Sequence, residues 1–319
     1  MEHTQKCHVI SILKSLSYQK FSRKLRMSSK NKVEESVDGH LDTEESEEEP
    51  EKDDEEEADE IILDPEAVEV DLTHSRIKKI GNFDQLHQVE TIYLRNNLIK
   101  KIENLQTLTN LKELEFYDNQ ISKIENLDAL INLEILDISF NRIQKIENLG
   151  NLLKLKKLFL VNNKIRKIEN LSCLVNLEML ELGSNKIRAI ENLDGLVNLK
   201  SLFLGKNKIT RLHNLEKLAD LELLSIQSNR LVKLEGLNQN TNLRHLYLSH
   251  NGIEKIGGLE RNFNDNSIDT WEELEVLKLF PNLETVYLER NPVAEDPMYR
   301  RKVMMIVPWV KQIDATMCQ

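Results

Sequence analysis

Cysteine is almost absent from this chain: Cys7, Cys173 and Cys318 lie far apart and form no CxxC pair. That excludes a disulfide-stapled secreted scaffold, argues against a cysteine-based structural zinc site, and points to a reducing setting, cytosol or nucleus. Only 10 Gly and 6 Pro punctuate 319 residues, and aromatics reach just 5%. The apolar 40% is spent mainly on Leu and Ile. No apolar run approaches the roughly 18 residues of a membrane-crossing helix, so no membrane partner is expected.

Charge is unevenly spread. Residues 1–32 hold eight Lys/Arg against one acid, whereas residues 33–60 hold seventeen Asp/Glu against Lys52 alone. The net charge of −11 therefore leaves −2 for residues 61–319. A nearly neutral body offers no basic footprint for nucleic acid, and no nucleic-acid partner is expected. Residues 33–60 are a like-charge block with too little apolar content to fold alone. Residues 1–32 faintly resemble a mitochondrial presequence, and Met27 opens a more usual-looking N-terminus. Together, residues 1–60 read as a disordered tail.

From residue 61 the chain repeats itself. Asn97, Asn119, Asn141, Asn163, Asn185, Asn207, Asn229 and Asn251 follow one another at 22-residue intervals, with Ser75 one period earlier. Two residues beyond each Asn stands Ile or Leu, and before it runs L-x-x-L-x-L-x-x-N, as in Leu199, Leu202, Leu204 and Asn207. This is the leucine-rich-repeat signature. The x-L-x-L-x portion predicts a short strand with its leucines inward. The Asn turns the chain and satisfies backbone groups that stacking would otherwise bury unpaired. Twenty-two residues leave little room for a helix between Asn and the next strand. The expected fold is α/β: a leucine-rich-repeat solenoid (horseshoe) with a concave parallel sheet, short 3₁₀ or extended convex arcs and a C-terminal helical cap.

Repeats are assigned to residues 61–291, irregular at 252–290, and the cap to 292–319. After Asn251 the next plausible anchor is Asn266 in RNFNDN, then Asn291 behind Leu283, Val286 and Leu288. One short coil and one long coil are expected there, with a weakened joint. In the cap, Asp296 is the expected N-cap with Pro297 in the first turn, and Tyr299, Val303 and Ile306 share one helix face.

No catalytic pattern is present: no phosphate-cradling glycine loop, HExxH or GxSxG occurs, and no His/Cys/Asp cluster has ligand spacing. Catalytic, cofactor-binding and metal-ligating residues are accordingly none. His245 and His250 read as surface residues and Cys173 as a small core filler. What rises above background is the row between the two strand leucines, expected to face solvent: Asp71, Tyr93, Glu115, Asp137, Phe159, Glu181, Phe203, Ser225, Tyr247 and Tyr287. Tyr117, Phe140 and Val161 flank it. In a chain with so few aromatics, this row reads as a protein-binding surface of aromatic anchors interleaved with acids. The recurring KIENL adds Glu103, Glu125, Glu147, Glu169 and Glu191 as a solvated or structurally paired edge.

The strand strings LDISFN, LFLVNN, LELGSN, LFLGKN, YLSHNGIE and ETVYLERNP, with YRRKVMM and the closing QIDAT, resemble the leucine-rich-repeat regulatory subunits of protein phosphatase 1 over about residues 61–319. The resemblance implies a non-catalytic partner, without cofactor, that holds the serine/threonine phosphatase catalytic subunit on its concave face. It also implies a monomer before binding, found in nucleus and cytoplasm. The family's contact positions match Asp137, Phe159, Glu181, Phe203 and Tyr287; Tyr247 and Glu115 extend the same row. The family carries roughly one more repeat where this chain reads ERNFNDN. Asn262 stands where a strand Trp of that repeat would be, and Trp271 is read into the following loop. A second reading is a structural adaptor that binds another nuclear or cytoskeletal protein, or basic proteins through the acidic tail. Such a tail-driven binder has no need of exposed Phe159 and Phe203.

Overall fold

Each coil turns a side chain inward at every third residue along its arc and at every second residue in its strand. Ile143, Ile146, Leu149, Leu152 and Leu155 are followed by Leu158 and Leu160, and none is more than 1% exposed. The arc is built from successive tight turns, in which the Leu152 N–H donates to Leu149 O (3.1 Å) and the Leu155 N–H to Leu152 O (3.0 Å). Bonds of this i to i+3 type give three residues per turn, which sets the period of the apolar positions. Burying one such side chain stabilises by about 1.5–3 kcal/mol, and only stacking of coils provides the burial. The computed structural model describes residues 63–253, 255–256 and 271–318, without the side chains of 255–256 and 271–274.

Among the described residues, twelve strands form one sheet. The regular coils contribute β1 (Glu69–Asp71), β2 (Thr91–Tyr93), β3 (Glu113–Glu115), β4 (Ile135–Asp137), β5 (Lys157–Phe159), β6 (Met179–Glu181), β7 (Ser201–Phe203), β8 (Leu223–Ser225) and β10 (His245–Tyr247). They pair in parallel, each with the next, in one unbroken register. A two-stranded ladder, β9 (Lys233–Leu234) with β11 (Lys255–Ile256), lies apart from this sheet.

Side-chain ladders fasten coil to coil, and three of them run through the regular coils as follows. The expected one is present: the Asn163 amide donates to Ile138 O (2.9 Å) and its oxygen accepts the Ile143 N–H (2.9 Å), and neighbouring anchors repeat this. A second runs through the KIENL asparagines, where Asn148 and Asn170 donate to Ile124 O and Ile146 O at 2.7 Å. Asn126, Asn148 and Asn170 adopt φ of 57–60°, a left-handed conformation that Asn tolerates better than most residues. The third is ionic. From β2 to β8 the residue before the strand alternates in sign, so Lys112 meets Glu90 (2.7 Å), Lys156 meets Glu134 (2.7 Å) and Lys200 meets Glu178 (3.1 Å).

The irregular region departs from expectation. β10 pairs directly with β12 (Thr285–Tyr287), His245 facing Thr285 and Tyr247 facing Tyr287. No coil stands between them, so the two expected coils are one. Asn291 is the anchor that follows Asn251, its amide donating to Leu248 O (3.2 Å). That bond reaches 43 residues back, where the Asn251 bond to Ile226 O reaches 25. The surplus residues fall in sequence between Ile256 and the buried Leu277, and the strand register is intact. Asn262, Phe263 and Asn266 lie outside the described residues, as does the whole tail, 1–60. Trp271 begins a 3₁₀ helix, Trp271–Leu279, rather than a loop.

Helix α1 (Tyr299–Ile306) and the antiparallel pair β13 (Gln312–Ile313) and β14 (Thr316–Met317) close the far edge. Val303 is buried, and Tyr299 and Ile306 pack against the core. The α-helical N-cap position is Met298, two residues later than expected. Asp296 caps the turn that leads in: its carboxylate accepts the Met298 N–H (2.7 Å), its carbonyl accepts the Tyr299 N–H (2.9 Å), and Lys302 pairs with it at 3.0 Å.

Candidate functional site

Each strand sends its middle residue into the core and its two flanking residues outward, so two rows stand on the open face of the sheet. The row expected from the sequence assembles in full register. Glu115 pairs with Asp137, Asp137 with Phe159, Phe159 with Glu181, and Glu181 with Phe203. Phe203 continues through Ser225 and Tyr247 to Tyr287. Exposure is lower than expected at two positions. Glu115 is only 8% and Ser225 only 5% exposed, because Arg95 hydrogen-bonds the Glu115 carboxylate and Ser225 turns its hydroxyl to Gln227. Phe159, Glu181, Phe203, Tyr247 and Tyr287 are half-buried.

Of the second row only His245 is expected on this face from the sequence, although strand alternation marks the whole row. Ile135, Lys157, Met179, Ser201, Leu223 and His245 occupy the first position of successive strands. With the first row they make a checkerboard. Ile135, Phe159, Met179, Phe203 and Leu223 zigzag across five strands, and Asp137, Lys157 and Glu181 fill alternate squares. At the far end the Tyr247 and Tyr287 rings lie 5.1 Å apart, and the Gln312 amide donates to the Tyr287 hydroxyl (2.8 Å). On the turn edge the Tyr117 and Phe140 rings lie 4.8 Å apart. Phe140 sits at φ 56° where the coils on either side place Asp118 and Asn162.

Burial dominates the electrostatics of this face. It pushes Glu181 up to about 7, with the charge of Asp137 adding to the effect. Among the described residues no hydrogen bond or ion pair reaches the Glu181 carboxylate. Asp137 is pushed up to about 6 by burial although its carboxylate accepts the Ser139 N–H (2.7 Å). Glu113 rises to about 7 through burial and then its hydrogen bond to Glu115. An uncompensated carboxylate between two phenyl rings attracts a cation that brings apolar surface with it.

Other residues singled out from the sequence lie elsewhere. His245 is half-buried with Nδ1 lacking a partner, burial pushing its pKa down, and His250 occupies a left-handed turn position (φ 58°). Among the described residues no three His, Cys, Asp or Glu side chains converge as metal ligands. Cys173 packs against the core, half-buried. Three of the five KIENL acids are paired within their own coils: Lys101 with Glu103 (3.9 Å), Lys123 with Glu125 (3.2 Å) and Lys145 with Glu147 (3.7 Å).

Three-residue parallel strands, an asparagine at every turn and a capped end define this chain as a leucine-rich-repeat solenoid. Family models for leucine-rich repeats match residues 109–151, 153–195 and 239–260. A leucine-rich-repeat protein of Leptospira interrogans has the same fold, with a TM-score of 0.65 and 26% identity over 76% of this chain and 59% of that one. More particularly, the chain is similar to protein phosphatase 1 regulatory subunit 7. The Homo sapiens protein is 59% identical over 49 residues, 15% of this chain and 14% of that protein. The Danio rerio protein is 61% identical over 46 residues, 14% of this chain and 13% of that protein. The aligned stretch is thus a small part of each relative's length.

Proposed function

We propose that this chain is a non-catalytic regulatory subunit that binds the catalytic subunit of protein phosphatase 1 through the concave face of its repeats. The observation that carries the reading is Glu181, a half-buried carboxylate unpaired among the described residues and standing in register between Phe159 and Phe203. Its place in the fold gives it no internal role, and a partner's basic group beside an apolar ridge satisfies all three side chains. The names borne by the similar proteins support the choice of partner. Asp137 and Glu115 extend the acidic contact toward one end, and Tyr247 and Tyr287 the aromatic contact toward the other. The rigid sheet presents these groups without ordering cost, which favours affinity. The chain is a monomer until it meets the phosphatase, works in nucleus and cytoplasm, and leaves residues 1–60 as a tail outside the contact.

Calorimetric titration of the purified phosphatase catalytic subunit into the full chain, and into a chain lacking residues 33–60, tests this reading. Binding of similar strength by both is expected. Binding that disappears with the acidic segment would support a tail-driven adaptor instead, and no binding by either would contradict the proposal.

A further inference from the structure

The residue after each anchor Asn leads the chain away from the sheet, and its N–H donates to the coil before. Arg142 bonds to Ile121 O, Lys164 to Ile143 O, Lys186 to Ile165 O, Lys208 to Ile187 O and Arg230 to Ile209 O, each at 2.8 Å. These bonds hold five cationic residues in one file, one per coil. Hydrogen-bonded neighbours stand about 4.8 Å apart, so the file runs for about 19 Å. Arg142, Lys164, Lys186 and Arg230 are exposed and Lys208 is half-buried. Two residues further on, the exposed Arg166 and Arg188 widen the file in its central coils. Among the described residues none of these side chains takes part in an ion pair.

Elsewhere the solenoid neutralises charge as it repeats it. The residue before the strand alternates in sign, and Lys101, Lys123 and Lys145 pair with the acids two residues on. No acid occupies the file's own column from Leu98 to Gly252. Like charges about 5 Å apart repel and weaken the stack that holds them. Stacking does not ask for them, since Gln120 fills the same position and its N–H donates to Ile99 O (2.9 Å). A rigid file of one sign is complementary to an anionic partner.

A second observation lies at one end of the file. Phe140, two residues before Arg142, is 36% exposed and adopts φ 56°. Neighbouring coils place Asp118 and Asn162 there, residues that tolerate the left-handed region, whereas a bulky side chain is strained in it. The Phe140 ring leans on Tyr117, centroids 4.8 Å apart. Strain of this kind is kept where function uses it. The two rings stand beyond the cations instead of alternating with them, which suits an apolar side chain better than a run of stacked bases.

We propose that this flank is a second docking site, taking an extended acidic segment of a partner protein, about seven residues rich in Asp and Glu laid along the file from Arg142 to Arg230, with an apolar residue at one end against Phe140 and Tyr117. An extended chain rises about 3.3 Å per residue, which sets that length. The site does not rest on the phosphatase reading. It leaves the concave row free, so one solenoid holds two proteins at once.

The probe is a fluorescein-labelled peptide of one Leu followed by about seven Glu, titrated with the full chain and read by fluorescence anisotropy. Saturable binding that weakens as salt is raised is expected. Lys164→Glu/Lys186→Glu is expected to weaken it by about tenfold or more, with the melting temperature unchanged or raised and calorimetric titration of the phosphatase catalytic subunit unchanged. Lys79→Glu/Lys217→Glu makes the same change in net charge at exposed positions outside the file, and is expected to alter peptide affinity by no more than about twofold. Phe140→Asn is expected to melt above wild type and to bind the peptide roughly threefold to tenfold more weakly. Absence of peptide binding, or equal losses in the two charge reversals, would overturn the site. An oligothymidylate of equal charge that binds as tightly as the peptide would replace the acidic segment with nucleic acid. Phosphatase affinity that falls with Lys164→Glu/Lys186→Glu would overturn the separation of the flank from the concave face. A Phe140→Asn chain that binds the peptide like wild type would remove the aromatic end from the site.

Discussion

Tyr247 and Tyr287 stand side by side on neighbouring strands, ring centroids 5.1 Å apart, although nearly twice the usual length of chain lies between them. The contact is possible because Asn291 takes the place that an anchor 22 residues after Asn251 would have held. Its amide donates to Leu248 O (3.2 Å) and Leu288 O (2.7 Å), and its oxygen accepts the Ile253 N–H (3.3 Å). The joint that the sequence marks as weak is thus bonded like the regular ones.

Asn291→Ala is therefore expected to cost as much as Asn163→Ala in the middle of the solenoid. Each leaves buried backbone groups unpaired, at about 1–3 kcal/mol per group, and a total loss of about 3 kcal/mol in urea unfolding is expected for both. A loss below about 0.5 kcal/mol at Asn291 alone would show that the long coil is closed by something else.

A second stability prediction has the opposite sign. Asn240 is fully buried in a column that the preceding coils fill with Leu196 and Leu218. Its amide donates to Leu215 O and Leu218 O (2.9 Å each), but both carbonyls already accept bonds within the arc, and among the described residues Asn240 Oδ1 has no partner. Asn240→Leu removes the unpaired oxygen and restores the apolar column, and is expected to stabilise by about 1–2 kcal/mol. Thermal melting decides it: a lower melting temperature than wild type would mean the Asn240 bonds are needed.

The sequence disclosed the repeat because one Asn column, two strand leucines and one outward row each serve every coil, and identical physical demands leave identical letters. The row of Asp137, Phe159, Glu181 and Phe203 was legible for the same reason. Ile135, Met179 and Leu223 were not, since apolar residues beside core leucines look like core; only strict strand alternation assigns them to the open face. The role of the KIENL asparagines is hidden because their neighbours Ile and Leu account for the motif without them. The long coil is hidden because its anchor, Asn291, breaks the 22-residue spacing and Asn266 stands nearer to it. Residues added between two strands change the count without changing the register of the strands, here His245 with Thr285 and Tyr247 with Tyr287.

The pH dependence follows from Glu181 and Asp137, pushed up to about 7 and about 6 by burial. Between roughly pH 4 and 7 the folded chain keeps protons that the unfolded chain, at ordinary carboxylate values, has released. Their contribution to stability therefore falls as pH rises through that window. A partner's cation favours the ionised forms, so affinity rises over the same window and binding releases protons. Glu181→Gln is expected to melt above wild type at pH 7.5, to flatten the pH dependence of melting, and to bind the phosphatase more weakly. A variant melting below wild type at pH 7.5 would contradict the assignment.

The most direct test of the account is titration of the purified phosphatase catalytic subunit against Phe159→Ala/Phe203→Ala. The two side chains stand on the open face about 10 Å apart, with Glu181 on the strand between them. Folding stability is expected to fall by less than about 1 kcal/mol, because the leucine core is untouched. Binding is expected to weaken by tens- to hundreds-fold, since a buried aromatic anchor typically contributes about 2 kcal/mol or more. A folded double variant that binds as tightly as wild type would contradict the concave-face account.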